Sequence, residues 1–321
     1  MINEFVFLKN SLKKIGLEKK YTKKVLYLII LGLDILSYII FIIKNIILNI
    51  KLKGDIYNIF RIDNYLMYLD INARGIHQDL KVYRKREIYS YSFFKNIIKD
   101  DSIIVDIGAN IGYYALLESI HAKNGKIYAI EPVLKNYNIL LKNIYINKIN
   151  NIIPINIGIS DKNEFKQIYE YECCNLSSFI KLNNKKIVSE KLIETKNLDD
   201  FIYLYNICPN IIRMDVEGYE YEIFEGAKKF LKNCKNITIF IELHPKILGI
   251  NKYLEILNLL KQNGFKILAI FNEPPPLRLP LLNLYLYFYK YSKYNYGKIE
   301  GGFDRLFKMA DLDYFELFIT K

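Results

Sequence analysis

Beyond residue 100 the chain alternates short apolar runs with longer stretches of helical spacing. Ile103–Ile107 is an apolar run closed by Gly-Ala-Asn, which predicts a buried strand ending in a turn. Helical spacing follows over Tyr113–Ala122, then a strand at Lys126–Ile130, a helix at Leu134–Asn147 and a strand at Ile152–Ile159. Residues 163–198 are polar and aperiodic and read as an irregular insertion. Ile211–Val216, residues 219–232, Ile237–Leu243 and residues 251–263 continue as strand, helix, strand, helix. Phe265–Phe271 and Tyr314–Thr320 close the series as strands. Strands separated by helices imply a parallel sheet covered on both faces. No helical pattern separates the last two strands, which predicts an antiparallel pair at the sheet edge.

Upstream, Tyr65–Ile71 reads as a strand, Asn72–Gly75 as a turn and Arg86–Ile98 as a helix. Val25–Ile43 is 19 residues long and holds one charge, Asp34. A bilayer crossing needs about 20 apolar residues, so the length is close to sufficient. No small-residue cleavage site follows, which argues against a removed signal peptide. The expected organisation is a basic and apolar helical extension over 1–53, a strand-and-helix lead-in over 54–100, and an α/β domain over 101–321.

Hydrophobic residues make up 51% of the 321 and charged residues 25%, enough for a sizeable core and too apolar for a disordered chain. Cys173, Cys174, Cys208 and Cys234 form no CxxC pair, so neither a zinc ribbon nor a disulfide scaffold fits, and a reducing compartment is expected. The net charge is +12, and +5 of it falls in the first 24 residues, where seven lysines face Glu4 and Glu18. Positive charge gathered beside an apolar run favours an anionic membrane surface over a nucleic-acid groove.

Candidate chemistry gathers at the strand ends. Asp106-Ile-Gly108-Ala109-Asn110-Ile-Gly112 leaves the first strand of the domain and opens a helix. Its glycines permit positive φ, and the helix start offers free N–H donors. The spacing is GxxxG, not GxGxxG, and the leading aspartate suits a ligand with an amino group better than a pyrophosphate. Glu131-Pro132 closes the second strand, where an acid can accept both hydroxyls of a ribose. Ser160-Asp161 follows the third strand, where a loop would meet an adenine. Arg213-Met-Asp215-Val-Glu217-Gly218 runs from the fourth strand into a helix and places two acids at the crevice. Glu242-Leu-His244-Pro245 ends the fifth, and His244 is the one histidine of three at such a place.

In this order the set resembles the FkbM-type family of S-adenosylmethionine (SAM)-dependent methyltransferases. The carrying residues are Asp106–Gly112, Glu131-Pro132, Asn143 with Asn147, Asn156 with Ser160-Asp161, Lys196–Asp200, Asp215–Gly218 and Glu242–His244, and the match covers about 65–270. The resemblance implies an α/β, Rossmann-like class I methyltransferase fold, with a seven-stranded, mostly parallel sheet and an antiparallel edge strand, here preceded by an N-terminal helical extension. It implies SAM as cofactor and O-methylation of a sugar or other small molecule. Asp106, Gly108, Ala109, Asn110 and Gly112 would then line the methionine side, Glu131 would take the ribose, and Ser160 or Asp161 the adenine. Two features depart from the family: Thr195-Lys-Asn-Leu198-Asp199 carries two extra residues before the fourth strand, and Arg213 stands where lysine is usual.

Methyl transfer from a sulfonium asks the protein to position an oxygen and remove its proton. The candidate bases are His244, Asp215 and Glu217, and no spacing motif demands a metal. Three other readings stand beside this one: an NAD-dependent oxidoreductase, disfavoured by the missing GxGxxG; an RNA methyltransferase, motivated by the charge alone; and a membrane-attached cofactor-binding scaffold without turnover. The expected partners are a small-molecule or glycan acceptor and an anionic membrane reached through residues 1–53, not nucleic acid. The expected location is the cytoplasmic side of the membrane, with a soluble cytoplasmic protein as the alternative. Tyr285, Tyr287, Tyr289 and Tyr291, near Lys290 and Lys293, offer a second interfacial contact.

Overall fold

The structure is a computed structural model that describes residues 22–51, 57–171, 177–182, 185–276, 281 and 296–321. The lysines at 9–20, Cys173, Cys174 and the tyrosines at 285–291 lie outside these residues. Contacts divide the chain into two units, Met1–Lys51 with Pro274–Tyr296, and Leu52–Glu273 with Gly297–Lys321.

In the larger unit, β1 (Tyr57–Ile62) and β2 (Tyr65–Asp70) pair as an antiparallel hairpin. The helices Ile76–Tyr83 and Ile88–Ile97 follow it. β3 (Ile103–Ile107), β4 (Lys126–Ile130) and β5 (Ile152–Ile155) alternate with the helices Tyr113–His121 and Leu134–Ile146. β6 (Gly158–Ser160), β7 (Glu164–Tyr171), β8 (Ser177–Ser178) and β9 (Ile187–Asn197) come next, before the helix Leu198–Leu204 and β10 (Ile211–Met214). The helices Glu220–Glu225 and Lys228–Asn233 lead to β11 (Thr238–Leu243), and Ile250–Gln262 leads to β12 (Lys266–Asn272). β13 (Gly297–Lys298) and β14 (Phe315–Thr320) complete the unit.

Eight strands form the main sheet in the order β13-β12-β14-β11-β10-β3-β4-β5. β11, β10, β3, β4 and β5 run parallel, and β14 runs antiparallel to both β11 and β12. The fold class is therefore the expected one, with a difference in placement. The antiparallel strand is interior rather than at the edge, and a two-residue strand, β13, adds an eighth member. The reason lies in the backbone of β14: Phe315, Leu317, Phe318 and Ile319 are buried, so the N–H and C=O groups of the strand cannot turn to water and are paired along both edges, with β11 on one side and β12 on the other.

Successive residues of the parallel strands feed opposite faces, as the two-residue side-chain period requires. Val105, Ile107, Ile212 and Met214 belong to one core, and Ile104, Ile127, Ile211 and Phe240 to the other. The hairpin β1–β2 and the helix Ile88–Ile97 pack into this second core.

Three expectations change here. The described residues of 163–198 are not irregular: with β6, the strands β9, β7 and β8 form a second, four-stranded sheet, with β7 and β9 antiparallel over most of their length. Polar residues concealed it, because β9 is largely exposed on one side. The single strand expected over 152–159 is split, β5 joining the main sheet and β6 the small one. The helix expected over 219–232 also breaks, at Gly226 and Ala227.

In the smaller unit one helix, Thr22–Lys51, spans 30 residues and is longer than the apolar run that predicted it.

Candidate active site

The order of the sheet reverses between β3 and β10, and the carboxyl ends of these strands frame a crevice. The cleft there has about 920 Å³ of empty space, the solvent at its open mouth included, and is lined along one side by Gly108, Ala109, Asn110 and Glu131. Arg86, Glu87, Asp215, Glu217 and Glu242 line the other. Ile159, Ile168 and Phe179 also line the cleft, and the small sheet supplies Ile159 and Ile168.

Glu131 is 4% exposed, yet its carboxyl faces this cleft. Oε2 accepts from the Asn110 amide at 2.8 Å and Oε1 from the Val133 amide at 2.8 Å. A carboxylate oxygen has about two acceptor positions, so capacity remains beyond the two backbone bonds for the nearby Asn136 side chain and for a ligand. Burial pushes the carboxyl up to about 7, against the opposing pull of the two backbone donors. A ribose diol would complete the set with two charge-assisted bonds. Asn156 braces the strand end, its Nδ2 donating to the carbonyls of Glu131 and Pro132.

Gly108 has φ +84, and a Cβ there would lie 2.0 Å from the Asp215 carbonyl oxygen. The glycine thus lets β3 and β10 end in contact. Gly112, with φ +90, instead clears Leu140, lies outside the cleft lining and packs the following helix. Asn110 adopts a left-handed φ of 51° and turns its amide toward Glu131.

Asp106 does not reach the cleft. It is fully buried, and its Oδ1 accepts from Arg213 Nη1 at 2.9 Å. Arg213 Nη2 donates to Asp215 Oδ2 at 2.9 Å, and its guanidinium lies 4.0 Å from the Tyr114 ring centroid. Register explains the pair, because Asp106 and Arg213 are direct neighbours on β3 and β10. Burial raises the Asp106 carboxyl and Arg213 pulls it back. Glu118, wholly buried on the next helix, is pushed well above the usual range by burial and then by Asp106.

Ser160 and Asp161 also lie outside the cleft lining. Ser160 Oγ bonds Asp161 Oδ1 and meets the Tyr219 hydroxyl, both at 2.9 Å. Gly158 and Ile159, just before them, do line the cleft, as does Phe179.

On the side of the cleft opposite Glu131 the structure brings Asp215, Glu217, Glu242 and His244 together. His244 Nδ1 lies 2.7 Å from Glu220 Oε1, while Nε2 lies 3.5 Å from Glu217 and 3.6 Å from Glu242. Burial works against the charged imidazole, but Glu220, Glu242 and Glu217 outweigh it and hold the ring well above its ordinary value. The acids around it thus favour the charged form of His244. The carboxyls beside it are the groups poised to change state: burial pushes Glu217 up to about 8 and Glu242 up to about 7. Glu217 holds a left-handed φ of 52°, and Gly218 follows at 95°. A Cβ on Gly218 would meet Ile247 at 2.2 Å, so the two-residue turn that aims Glu217 depends on the glycine.

Sequence reasoning passed over Arg86, Glu87, Gly158 and Phe179. The pair Arg86-Glu87 gave no signal because it precedes a helix far from any strand end, and only folding brings it to β11.

The Methyltransferase FkbM domain model matches residues 106–267, half of the chain. The protein belongs to the FkbM methyltransferase family. The matched span opens on Asp106 and contains Glu131, Asp215, Glu217, Glu242 and His244. The family's methyl donor, S-adenosylmethionine, is the cofactor, and the buried, half-satisfied carboxyl of Glu131 fits it.

Among curated proteins, this family member is 24% identical over 154 residues to the hexuronic acid methyltransferase AglP of Haloferax volcanii, covering 46% of this chain and 59% of that one. It is 39% identical over 59 residues to a tRNA(Phe) (4-demethylwyosine(37)-C(7)) aminocarboxypropyltransferase of Methanocaldococcus jannaschii, covering 18% of this chain and 24% of that one. The chain thus spans about three-fifths of the first of these relatives and a quarter of the second. Among solved structures, methyltransferase FkbM from Methylobacillus flagellatus gives a TM-score of 0.42 at 19% identity, covering 63% of this chain and 50% of that one. TYW2 of M. jannaschii in complex with AdoMet gives 0.43 at 15%, covering 83% and 85%.

Proposed function

We propose that the protein transfers the methyl group of SAM to a hydroxyl of an uncharged sugar, glycan or glycolipid acceptor. The observation that carries this reading is the pairing of two ends in one cleft. Glu131 offers acceptor capacity for a ribose, and Glu217 and Glu242 stand opposite as weakly acidic carboxyls. Bound SAM supplies an electrophilic methyl carbon. The acceptor oxygen gains that carbon, the sulfur keeps the bonding electrons, and the hydroxyl proton passes to Glu217 or Glu242. These two act as a coupled pair, so the proton belongs to the pair rather than to one residue. Charged His244 orients them, and Asp215 is held by Arg213.

The acceptor's charge follows from the lining. Among the described residues it contains Glu87, Glu131, Asp215, Glu217 and Glu242 but no lysine. Its two arginines already face acids, Arg86 toward Glu87 and Asp79, Arg213 toward Asp106 and Asp215. A carboxylate or phosphate on the acceptor would meet Glu87 and Asp215 without a lining cation that is not already facing an acid. The reading departs here from the hexuronic acid of the Haloferax relative. Asp106, Gly108, Ala109, Asn110, Gly112, Ser160 and Asp161 support the cofactor side in this proposal, several of them by packing rather than by contact. The reading includes attachment to the cytoplasmic face of a membrane through residues 1–53, supported by the exposed apolar side chains of the helix Thr22–Lys51.

The test is incubation of the full chain with tritiated SAM and envelope extracts. Alkali-stable label on a neutral sugar supports the proposal. Label lost as a methyl ester, or found on RNA, overturns the acceptor class, and no transfer to any fraction overturns the activity.

A further inference from the structure

We infer that the helix Thr22–Lys51 lies in the plane of an anionic lipid surface, with one apolar half sunk into it and both ends on the same side. The inference rests on the membrane attachment proposed above and specifies its geometry.

The arrangement of the helix is the reverse of that of a helix in a water-soluble core. Leu28, Ile35, Ile39, Ile42, Ile43 and Ile46 are all exposed, between 37% and 62%. Only 6% of the apolar stretch Leu28–Leu48 is buried. Ser37, by contrast, is fully buried, and Asp34 and Asn45 are half-buried. At about 100° per residue, Asp34, Ser37, Lys44 and Asn45 fall within a sector of roughly 100° that they share with Ile30, Phe41 and Leu48, and the six exposed apolar residues named above occupy the opposite half circle. A core helix would hide the apolar half and present the polar one.

Length alone permits a crossing, since 21 residues span about 31 Å and the hydrocarbon layer is about 30 Å. Three features decide for the plane. A lone crossing helix meets lipid all round, whereas here Asp34, Ser37 and Asn45 share one side. Lysines stand at both ends, Lys23 and Lys24 at the start and Lys51 with Lys53 at the finish, and each cluster is drawn to the same anionic headgroups. Methyl donor made in the cytoplasm must reach the catalytic unit, and the lysine-rich start favours the cytoplasmic side as well. An in-plane helix satisfies both demands, and a single crossing satisfies one. An apolar helix that keeps its few polar residues on one side and carries lysines at both ends can seat its opposite side in the interface.

The experiment uses sealed inverted membrane vesicles from cells expressing the full chain with a tag at each end. The expected result is protease access to both tags without detergent and retention of the protein in 1 M salt. Ile35→Glu combined with Ile39→Glu should lower the membrane-bound fraction at least tenfold. Tyr203→Glu, at an exposed position of the larger unit, should leave it unchanged, and retained S-adenosylhomocysteine binding verifies the fold of both variants. Protection of one tag overturns the in-plane geometry while leaving attachment intact. Release by salt, or an unchanged bound fraction in the double variant, overturns insertion of the apolar half. Full solubility without detergent overturns attachment itself.

Discussion

Replacing Arg213 with methionine keeps the apolar stem against Tyr114 and removes the charge between Asp106 and Asp215. Asp215 is about a quarter exposed and can recover water, but Asp106 is fully buried and cannot. An isolated buried carboxylate escapes its desolvation by taking up a proton, which caps the damage. Holding that proton costs about 1.4 kcal/mol for each pH unit above the ordinary aspartate value of 3.8. The cap is about 4.4 kcal/mol at pH 7 and about 1.6 kcal/mol at pH 5, and the former falls in the range of about 3–5 kcal/mol for breaking a buried pair. The sign follows from proton binding. Between pH 3.8 and the raised folded value the folded variant holds one more proton than the unfolded chain, so its stability falls as pH rises. Urea unfolding of the wild type and Arg213→Met at pH 5, 6 and 7, in mild detergent, measures the slope. The destabilisation should grow with pH, by at most about 1.4 kcal/mol per pH unit, and adding Asp106→Asn should flatten it. A loss that is the same at all three pH values would refute the reasoning, because Asp106 would then not be the stranded charge.

Glu131→Ala should weaken S-adenosylhomocysteine binding by two charge-assisted hydrogen bonds of about 1.5–3 kcal/mol each, read by calorimetric titration. Wild-type turnover, followed as S-adenosylhomocysteine release, should rise with pH through about 7 to 8 as the raised Glu217 and Glu242 carboxyls lose protons. Glu217→Gln combined with Glu242→Gln should remove that rise and slow turnover by about 10²–10⁴-fold, with cofactor affinity kept. His244→Gln should shift the same profile upward, because the charged ring stabilises the neighbouring carboxylates; an unmoved profile would show that His244 does not orient them. Gly108→Ala should abolish cofactor binding, since its Cβ would stand 2.0 Å from the Asp215 carbonyl.

The parallel strands β3, β4, β10 and β11 were legible because each is a run of branched apolar residues bounded by a turn, a local property of the chain. Glu131, Asp215, Glu217 and Glu242 were legible for the same reason: the carboxyl end of a parallel strand can be read without knowing its neighbours. The sequence by itself therefore determined the sheet, the family and the set of acids that meet at the crevice. It did not determine what those acids do, because that depends on partners distant in the chain. Asp106 was expected at the cofactor, yet its register opposite Arg213 ties it into a buried ion pair, and no local pattern records a register. His244 was expected as a candidate base, yet Glu220 on a different helix favours its charged form, and on the reading proposed above Glu217 and Glu242 take that task. The last two strands were expected as an antiparallel pair at the edge; they do pair, and the buried backbone of β14 takes β11 as a second partner on its other side. Pattern specifies which residues must leave water; tertiary contact alone specifies what each one meets, and charge state follows from that meeting.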